Sequence, residues 1–312
     1  MEFLSGWEGV PVLVTGGTGF IGQHVLAYGR RSGLNLHNMT LGESAPAPVQ
    51  NYQADLTSRA QVFEMLEHIR PRAIVHLAAA GVIQGSASFE DMLRINALGL
   101  QSLLEAALHL EHPPQIVISG SCYEYAAQDR PLTEADPVIP SSPYGVSKVA
   151  ALPIAHFYAR RLPITWLRLF QVYGPGEPYP RLIPYVIQCA RRGERVELTA
   201  GAQVRDFTYV GDVAQSFWRA LAVPAAPGSL RIINVATGRG VRLHEFVERL
   251  AGILQERGFG PDIVFGAKPY RPDELMMYAA DISLMRRLLG WVPQTSLEEG
   301  LRRTVEVALE QA

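Results

Sequence analysis

Two cysteines, Cys122 and Cys189, are all the sequence contains, and neither stands at a metal-like spacing from a histidine. A disulfide scaffold and a thiolate metal centre are therefore not expected, and both residues are read as free thiols. Charge is scarce too, at 19% of 312 residues with a formal net charge of -2, so no basic field for nucleic acid is implied. No apolar run is long enough to span a bilayer, and the opening M-E-F-L-S-G-W-E-G-V carries acid where a secretory leader carries positive charge. The expected compartment is the cytoplasm, with no membrane partner. Internal repeats and low-complexity tracts are also missing. What remains is 48% hydrophobic, enough to build about two domains at roughly 150 residues each, or one large α/β unit.

Glycine is concentrated where the chain turns. Residues 12–22 read V-L-V-T-G-G-T-G-F-I-G, an apolar strand pattern that turns through Gly16, Gly17 and Gly19 and resumes at Phe20 and Ile21 as a helix pattern. Positive φ and close approach of the backbone to a ligand both exclude a Cβ, and the N–H groups at a helix start attract a phosphate. The alternation then continues: helix 21–32, stopped by Gly33; strands 34–41 and 49–54; helix 59–69 with Ser58 as N-cap; strand 73–80; helix 89–110; strand 115–119; a polar loop 128–143; helix 144–161; and strand 164–170. This predicts an α/β fold with a Rossmann-type, doubly wound parallel sheet over residues 1–173. G-P-G-E-P-Y-P after Tyr173 breaks the pattern, and 174–312 is read as a smaller α/β region given mainly to substrate, with the chain free to cross between the two. Asp281 with Gly290, and Ser296 with Glu299, are expected to bracket the last two helices. Met276, Met277 and Tyr278 read as core packing.

Ligands of open α/β sheets collect at the carboxyl ends of the strands. After the fifth strand comes G-S-C-Y-E-Y, with Ser121, and the next helix opens S-P-Y-G-V-S-K, with Tyr144 and Lys148 four apart and so on one helix face. Bringing a phenol from ~10 to neutral pH takes roughly 3 units, or about 4 kcal/mol. A cation about 4 Å away offers ~4 kcal/mol in a protein cleft, so Lys148 alone nearly suffices. Tyr144 is then the acid or base for a sugar or steroid hydroxyl during hydride transfer, with Ser121 holding the same oxygen. His76, after three apolar residues, is read as a satisfied core histidine and not a metal ligand; no metal is expected. Asn96 is given a structural role and Cys122 is read as inert.

With these residues in place, the sequence resembles the extended short-chain dehydrogenase/reductase family, in its nucleotide-sugar epimerase, dehydratase and 4-ketoreductase branch. T-G-G-T-G-F-I-G resembles the family's cofactor loop, H76-L-A-A its strand beside the cofactor, and N96-A-L-G-L-Q-S-L-L-E-A its long helix. Ser121, Tyr144 and Lys148 fall on its catalytic triad. R168-L-F-Q-V-Y-G-P-G, R205-D-F-T-Y-V-G-D-V and R271-P-D-E resemble its substrate-side motifs, so the likeness runs from about Val12 to Leu301. The resemblance implies NAD or NADP held by Gly16, Gly19, Phe20, Ile21, Gly22, Thr40, Asp55, Leu56, Leu77, Ala78 and Ala79 together with Tyr144 and Lys148. It implies a nucleotide-diphosphate sugar as partner, met by Gln171, Arg205, Arg271 and Glu274. Arg205 and Arg271 would supply fork-shaped donors for two phosphates and Glu274 would accept from the ribose; an ordinary ion pair of Arg205 with the adjacent Asp206 is the lesser alternative. A homodimer paired through helices like 89–110 and 144–161 is also implied.

Three departures bear on the reaction. Many relatives end the second strand in an acid that binds the adenosine ribose, yet residues 23–42 contain no Asp or Glu, and Thr40 stands about where that acid would be. NAD loses its usual acceptor, while no local arginine replaces it for a 2′-phosphate, so the cofactor preference stays open. Dehydratases place Asp and Glu directly after the catalytic hydroxyl residue; here Cys122 and Tyr123 stand there, which disfavours 4,6-dehydration. Gln171 replaces the Asn usual before V-Y-G-P. The reading is oxidoreduction at the hexose 4-position, leaning to net reduction of a 4-keto-6-deoxyhexose. An NAD-retaining 4-epimerase is the alternative, with a dehydratase or a catalytically silent nucleotide-binding protein behind them.

Overall fold

The computed structural model describes every residue except Met1, Gln84, Pro272, Asp273, Gln311 and Ala312. Two apolar clusters sandwich the central sheet, because parallel strands buried on both faces must be apolar throughout. The first stretch is β1 (Pro11–Thr15), α1 (Phe20–Arg31), β2 (Asn35–Thr40), β3 (Gln50–Gln53), α2 (Arg59–Ile69) and β4 (Ala73–His76). There follow α3 (Phe89–Leu93), a π-helical stretch Arg94–Gly99, α4 (Leu100–His109), β5 (Gln115–Ser121), α5 (Pro143–Ala159) and β6 (Ile164–Leu169). The remainder is β7 (Gln171–Tyr173), α6 (Leu182–Arg192), β8 (Arg195–Glu197), β9 (Val204–Tyr209), α7 (Val210–Ala222), β10 (Arg231–Val235), β11 (Gly240–Arg242), α8 (Leu243–Glu256), β12 (Asp262–Val264), β13 (Met277–Tyr278), α9 (Ser283–Leu289) and α10 (Leu297–Glu310).

The central sheet has seven parallel strands in the order β10-β6-β5-β4-β1-β2-β3, the doubly wound sheet expected from the strand and helix alternation. β10 lies at its edge although it follows the break at Gly174, so the later part of the chain returns to the first layer. α7 returns with it: Gly29 of α1 has no side chain, and an added Cβ would stand 2.7 Å from the Trp218 ring. A separate small sheet joins β11, β9 and β13, with β7 also pairing β9, and β12 pairs β8. A third apolar cluster lies under α6, α8 and α10.

Several local expectations change. Strand 73–80 stops at His76, where the chain leaves the ladder, and Leu77 and Ala79 of the remainder line the site. The 89–110 helix contains the π-helical stretch, which apolar periodicity alone does not reveal. Ser58 precedes α2 without a side-chain cap, and Arg70 ends it in the left-handed region at φ 49. Asp281 Oδ1 accepts from Ser283 N at 2.7 Å, and Gly290 closes α9 at φ 58. Of the box before α10 only half forms: Ser296 Oγ accepts from Glu299 N at 3.2 Å, while the Glu299 carboxylate pairs with Arg303. Met276 is exposed and only Tyr278 of that run is fully buried, since β13 is two residues long and turns one side chain inward.

Candidate active site

The carboxyl ends of β1, β4, β5 and β6 open into one cavity of about 350 Å³. β1 contributes Gly16, which accepts no side chain: its φ is +70, and an added Cβ would stand 2.7 Å from Ala78 N. The loop therefore lies directly on the strand-end backbone, and Gly19, Phe20, Ile21 and Gly22 form one wall. Leu77 and Ala79 form the next, and Ala78 donates its N–H to Thr15 Oγ1 at 3.3 Å. Ser121 and Tyr144 lie in the same cavity, with Gln171 at its far end. Thr40, Asp55 and Leu56 do not line it. Thr40 Oγ1 donates to the Glu43 carbonyl and accepts from Gly42 N, Asp55 Oδ1 accepts from Thr57 N and Oγ1, and Leu56 is core.

β5 ends in Ser121 because Gly120 lets two strands meet: a Cβ there would stand 2.0 Å from Trp166 Nε1 and 2.7 Å from Glu124 Oε1. Glu124 is fully buried and its carboxylate is spent. It pairs with Arg168 at 2.7 Å and accepts from Trp166 Nε1 at 3.0 Å and from Ser121 N at 2.8 Å. Ser121 Oγ accepts from Tyr123 N at 3.2 Å, which leaves its proton to donate. Cys122 is buried, and burial pushes its thiol up to about 12, so it stays protonated near neutrality.

Lys148 lies one helical turn beyond Tyr144 on α5, 3% exposed. Its Nζ donates to the Ser119 carbonyl at 3.0 Å and stands 5.8 Å from the centre of the Tyr144 ring. Burial drags the ammonium down to about 8, against the pull of the Glu124 carboxylate. The Tyr144 phenol moves upward, first through burial and then through Glu124, opposite to the shift expected from the lysine alone. The reason is geometric: the ammonium is turned to a backbone carbonyl, and desolvation of the phenol outweighs a cation that does not touch it. Asn96 fixes the frame, accepting from Ala80 N at 2.8 Å and donating to the Ala80 carbonyl at 3.0 Å and to Ser147 Oγ at 2.8 Å. His76 is 2% exposed, pairs with Thr15 Oγ1 at 2.7 Å and is held neutral by burial, its pKa lowered to about 3.

A second cavity, of about 540 Å³, adjoins the first through Tyr123 and Gln171, which line both. It holds Arg205, Arg271 and Glu274, the three residues expected from the later motifs; of R271-P-D-E, Pro272 and Asp273 lie outside the described residues, as does Gln84 of the loop at 81–88. Arg205 does not pair with Asp206. It reaches Glu274 at 2.7 Å, while Asp206 is buried and accepts from Thr237 N, Thr237 Oγ1 and Gly238 N within 2.9 Å. Neighbours along a strand point to opposite faces, so one residue serves the cavity and the other ties down a turn. Tyr123 and Arg181 line the site without having been singled out; the only sequence signal was Tyr123 standing two places after Ser121, in a dehydratase carboxylate's position.

The model of the NAD dependent epimerase/dehydratase family matches residues 12–236. A dTDP-glucose 4,6-dehydratase of Neisseria gonorrhoeae is 30% identical, the match covering 96% of this chain and 95% of that protein. Among solved structures, a UDP-glucose 4-epimerase of Thermotoga maritima with UDP-glucose superposes with a TM-score of 0.86 at 28% identity, covering 97% of this chain and 99% of its own. MoeE5 in complex with UDP-glucuronic acid and NAD does so with a TM-score of 0.85 at 30% identity, covering 97% and 100%.

Proposed function

The chain belongs to the NAD dependent epimerase/dehydratase family of enzymes, and on that premise we propose that it inverts the hexose 4-position of a nucleotide-diphosphate sugar while retaining its dinucleotide. One observation carries the choice within the family: beside Ser121 and Tyr144 the cavity offers Cys122 and Tyr123, a thiol held protonated and a phenol, where elimination needs an ionised base and a carboxylic acid. Glu124 does not substitute, because its oxygens are committed to Arg168, Trp166 and Ser121 N. Oxidation and re-reduction at one carbon need only one proton acceptor and donor.

The glycine turn fits a dinucleotide pyrophosphate: Gly16, Gly19 and Gly22 bring backbone against the cavity, and the first turn of α1 has no side-chain cap competing for its N–H groups. When bound, the dinucleotide supplies a hydride acceptor and donor. In this reading Tyr144 takes the 4-hydroxyl proton and returns it, Ser121 Oγ–H holds the same oxygen, and Lys148 keeps positive charge beneath the pair. Tyr144, whose phenol burial raises, would need a further cation beside Lys148 to release its proton, a charge that a bound oxidised dinucleotide would supply. A second reading, net reduction of a 4-keto sugar with a dissociable cofactor, is favoured by Thr40, whose hydroxyl is spent on its own turn and leaves the adenosine ribose without a carboxylate. The nucleotide released on denaturing purified protein separates them. About one NAD per chain is the expected result; an empty protein that oxidises NADPH with a 4-keto sugar nucleotide would establish the reductase.

A further inference from the structure

A substrate whose sugar lies by Tyr144 and whose nucleoside lies by Arg205 must thread its diphosphate between the two cavities, past Tyr123 and Gln171. On the outer side Arg205 stands ready. On the inner side Arg181 is the one charged side chain among the described lining residues. It is a held guanidinium: Nε meets Glu177 Oε1 at 2.9 Å, Nη2 donates to the Val172 carbonyl at 3.1 Å, and the centre of its guanidinium is 5.9 Å from that of the Phe20 ring. Nη1 has no partner among the described residues. Burial raises both the Tyr123 and the Tyr144 phenol, and the charge of Arg181 opposes that rise in each.

We propose that Arg181 and Arg205 grip the substrate diphosphate from opposite sides of Tyr123, with Arg181 carrying the share expected of the exposed Arg271. The inference rests on the nucleotide-sugar reading. Two further features support it. Glu177, whose side chain is 4% exposed, has one oxygen on Arg181 and the other, Oε2, without a partner; burial pushes this carboxyl up to about 7, so near neutrality it cancels only part of the arginine's charge. α6 begins directly after Arg181 with no side-chain cap, and Leu182 of its first turn lines the outer cavity, which adds the positive end of a helix to the same passage. A guanidinium with two nitrogens engaged and the third free is oriented before an anion arrives, so little ordering cost is left at binding.

The test is calorimetric titration of wild type, Arg181→Gln and Arg181→Lys with UDP, dTDP, CDP and GDP, with the four matching nucleosides, and, after retained dinucleotide has been stripped, with NAD. For the diphosphate that wild type binds, Arg181→Gln is expected to weaken affinity about tenfold and Arg181→Lys, which keeps charge without the fork, about threefold. Nucleoside and NAD affinities stay within about twofold, which also reports an intact fold. Should Arg181→Gln fail to fold, the lysine variant carries the same comparison. Unchanged diphosphate affinity in a variant that still binds NAD overturns the proposal. So does weaker NAD binding with unchanged diphosphate affinity, which would assign Arg181 to the dinucleotide. Wild type that binds NAD but none of the four diphosphates sinks the nucleotide-sugar reading itself.

Discussion

Replacing Lys148 by methionine should make the protein more stable and inactive at once. The ammonium is 3% exposed, and burial drags its pKa from 10.5 to about 8. At pH 7 the unfolded chain holds this proton as tightly as any free lysine, while the folded chain holds it against desolvation, a penalty of about 3 kcal/mol. Methionine fills similar volume without that penalty but gives up the bond to the Ser119 carbonyl, worth about 1–2 kcal/mol. The variant should therefore be ~1–2 kcal/mol more stable at pH 7. The pH dependence isolates the cause. Between about pH 8 and 10.5 the unfolded state binds more protons than the folded state, so wild-type stability rises with pH through that window relative to the variant. From pH 7 to 9.5 the variant's advantage should shrink by about 2 kcal/mol. Urea unfolding of dinucleotide-free protein at the two pH values gives both numbers, and turnover of the nucleotide-diphosphate sugar that wild type converts measures the activity lost. A variant less stable than wild type by the same amount at both pH values would refute the argument, since the lysine would then be a packing element and not a buried charge kept for function.

Tyr144→Phe keeps the ring and removes the proton carrier, so turnover should fall by ~10²–10⁴ while NAD still binds; steady-state kinetics beside NAD titration checks both. Gly16→Ala sets a Cβ 2.7 Å from Ala78 N at a φ of +70, for which a loss of about 1–3 kcal/mol and weaker dinucleotide binding are expected. Thermal melts with and without NAD read this out. His76, neutral when folded with its pKa lowered from 6.5 to about 3, makes the unfolded state the stronger proton binder on acidification. Stability should fall as pH drops below about 6.5, by up to ~1.4 kcal/mol per unit. His76→Leu should flatten this slope; an unchanged slope means that the acid sensitivity lies elsewhere.

The parts of the fold carried by local pattern were legible in the sequence. β1, β4, β5 and β6 show runs of Val, Ile and Leu because both faces are covered, and the glycine turn at Gly16 announces itself through a conformation other residues avoid. Ser121, Tyr144 and Lys148 were legible because helix spacing sets two of them on one face. What depended on distant partners was not. β10 joins β6 across the whole substrate-side insertion, and a five-residue strand carries no mark of its neighbour. Arg205 prefers Glu274, 69 residues away, to the adjacent Asp206, since the alternation of a strand separates what the sequence sets side by side. Arg181 lies in a proline-broken segment without periodicity. The rise of the Tyr144 phenol came from burial, which spacing does not measure.

The π-helical stretch Arg94–Gly99 bears on which lengths of this chain can persist. Each residue of a regular helix turns about 100°, and a single i→i+5 turn absorbs one residue that an α-helix has no room for. Asn96, which ties Ala80 to Ser147, sits inside that stretch, with Met92 buried before it and Leu100, Leu103 and Leu104 buried after it. Deleting one codon there would restore an ideal helix and rotate one of these sets out of the core. Substitutions along the solvent face should be tolerated, whereas a one-residue deletion, however favourable to helix geometry, should not. Gene variants of this stretch are accordingly expected to differ in spelling and to agree in length.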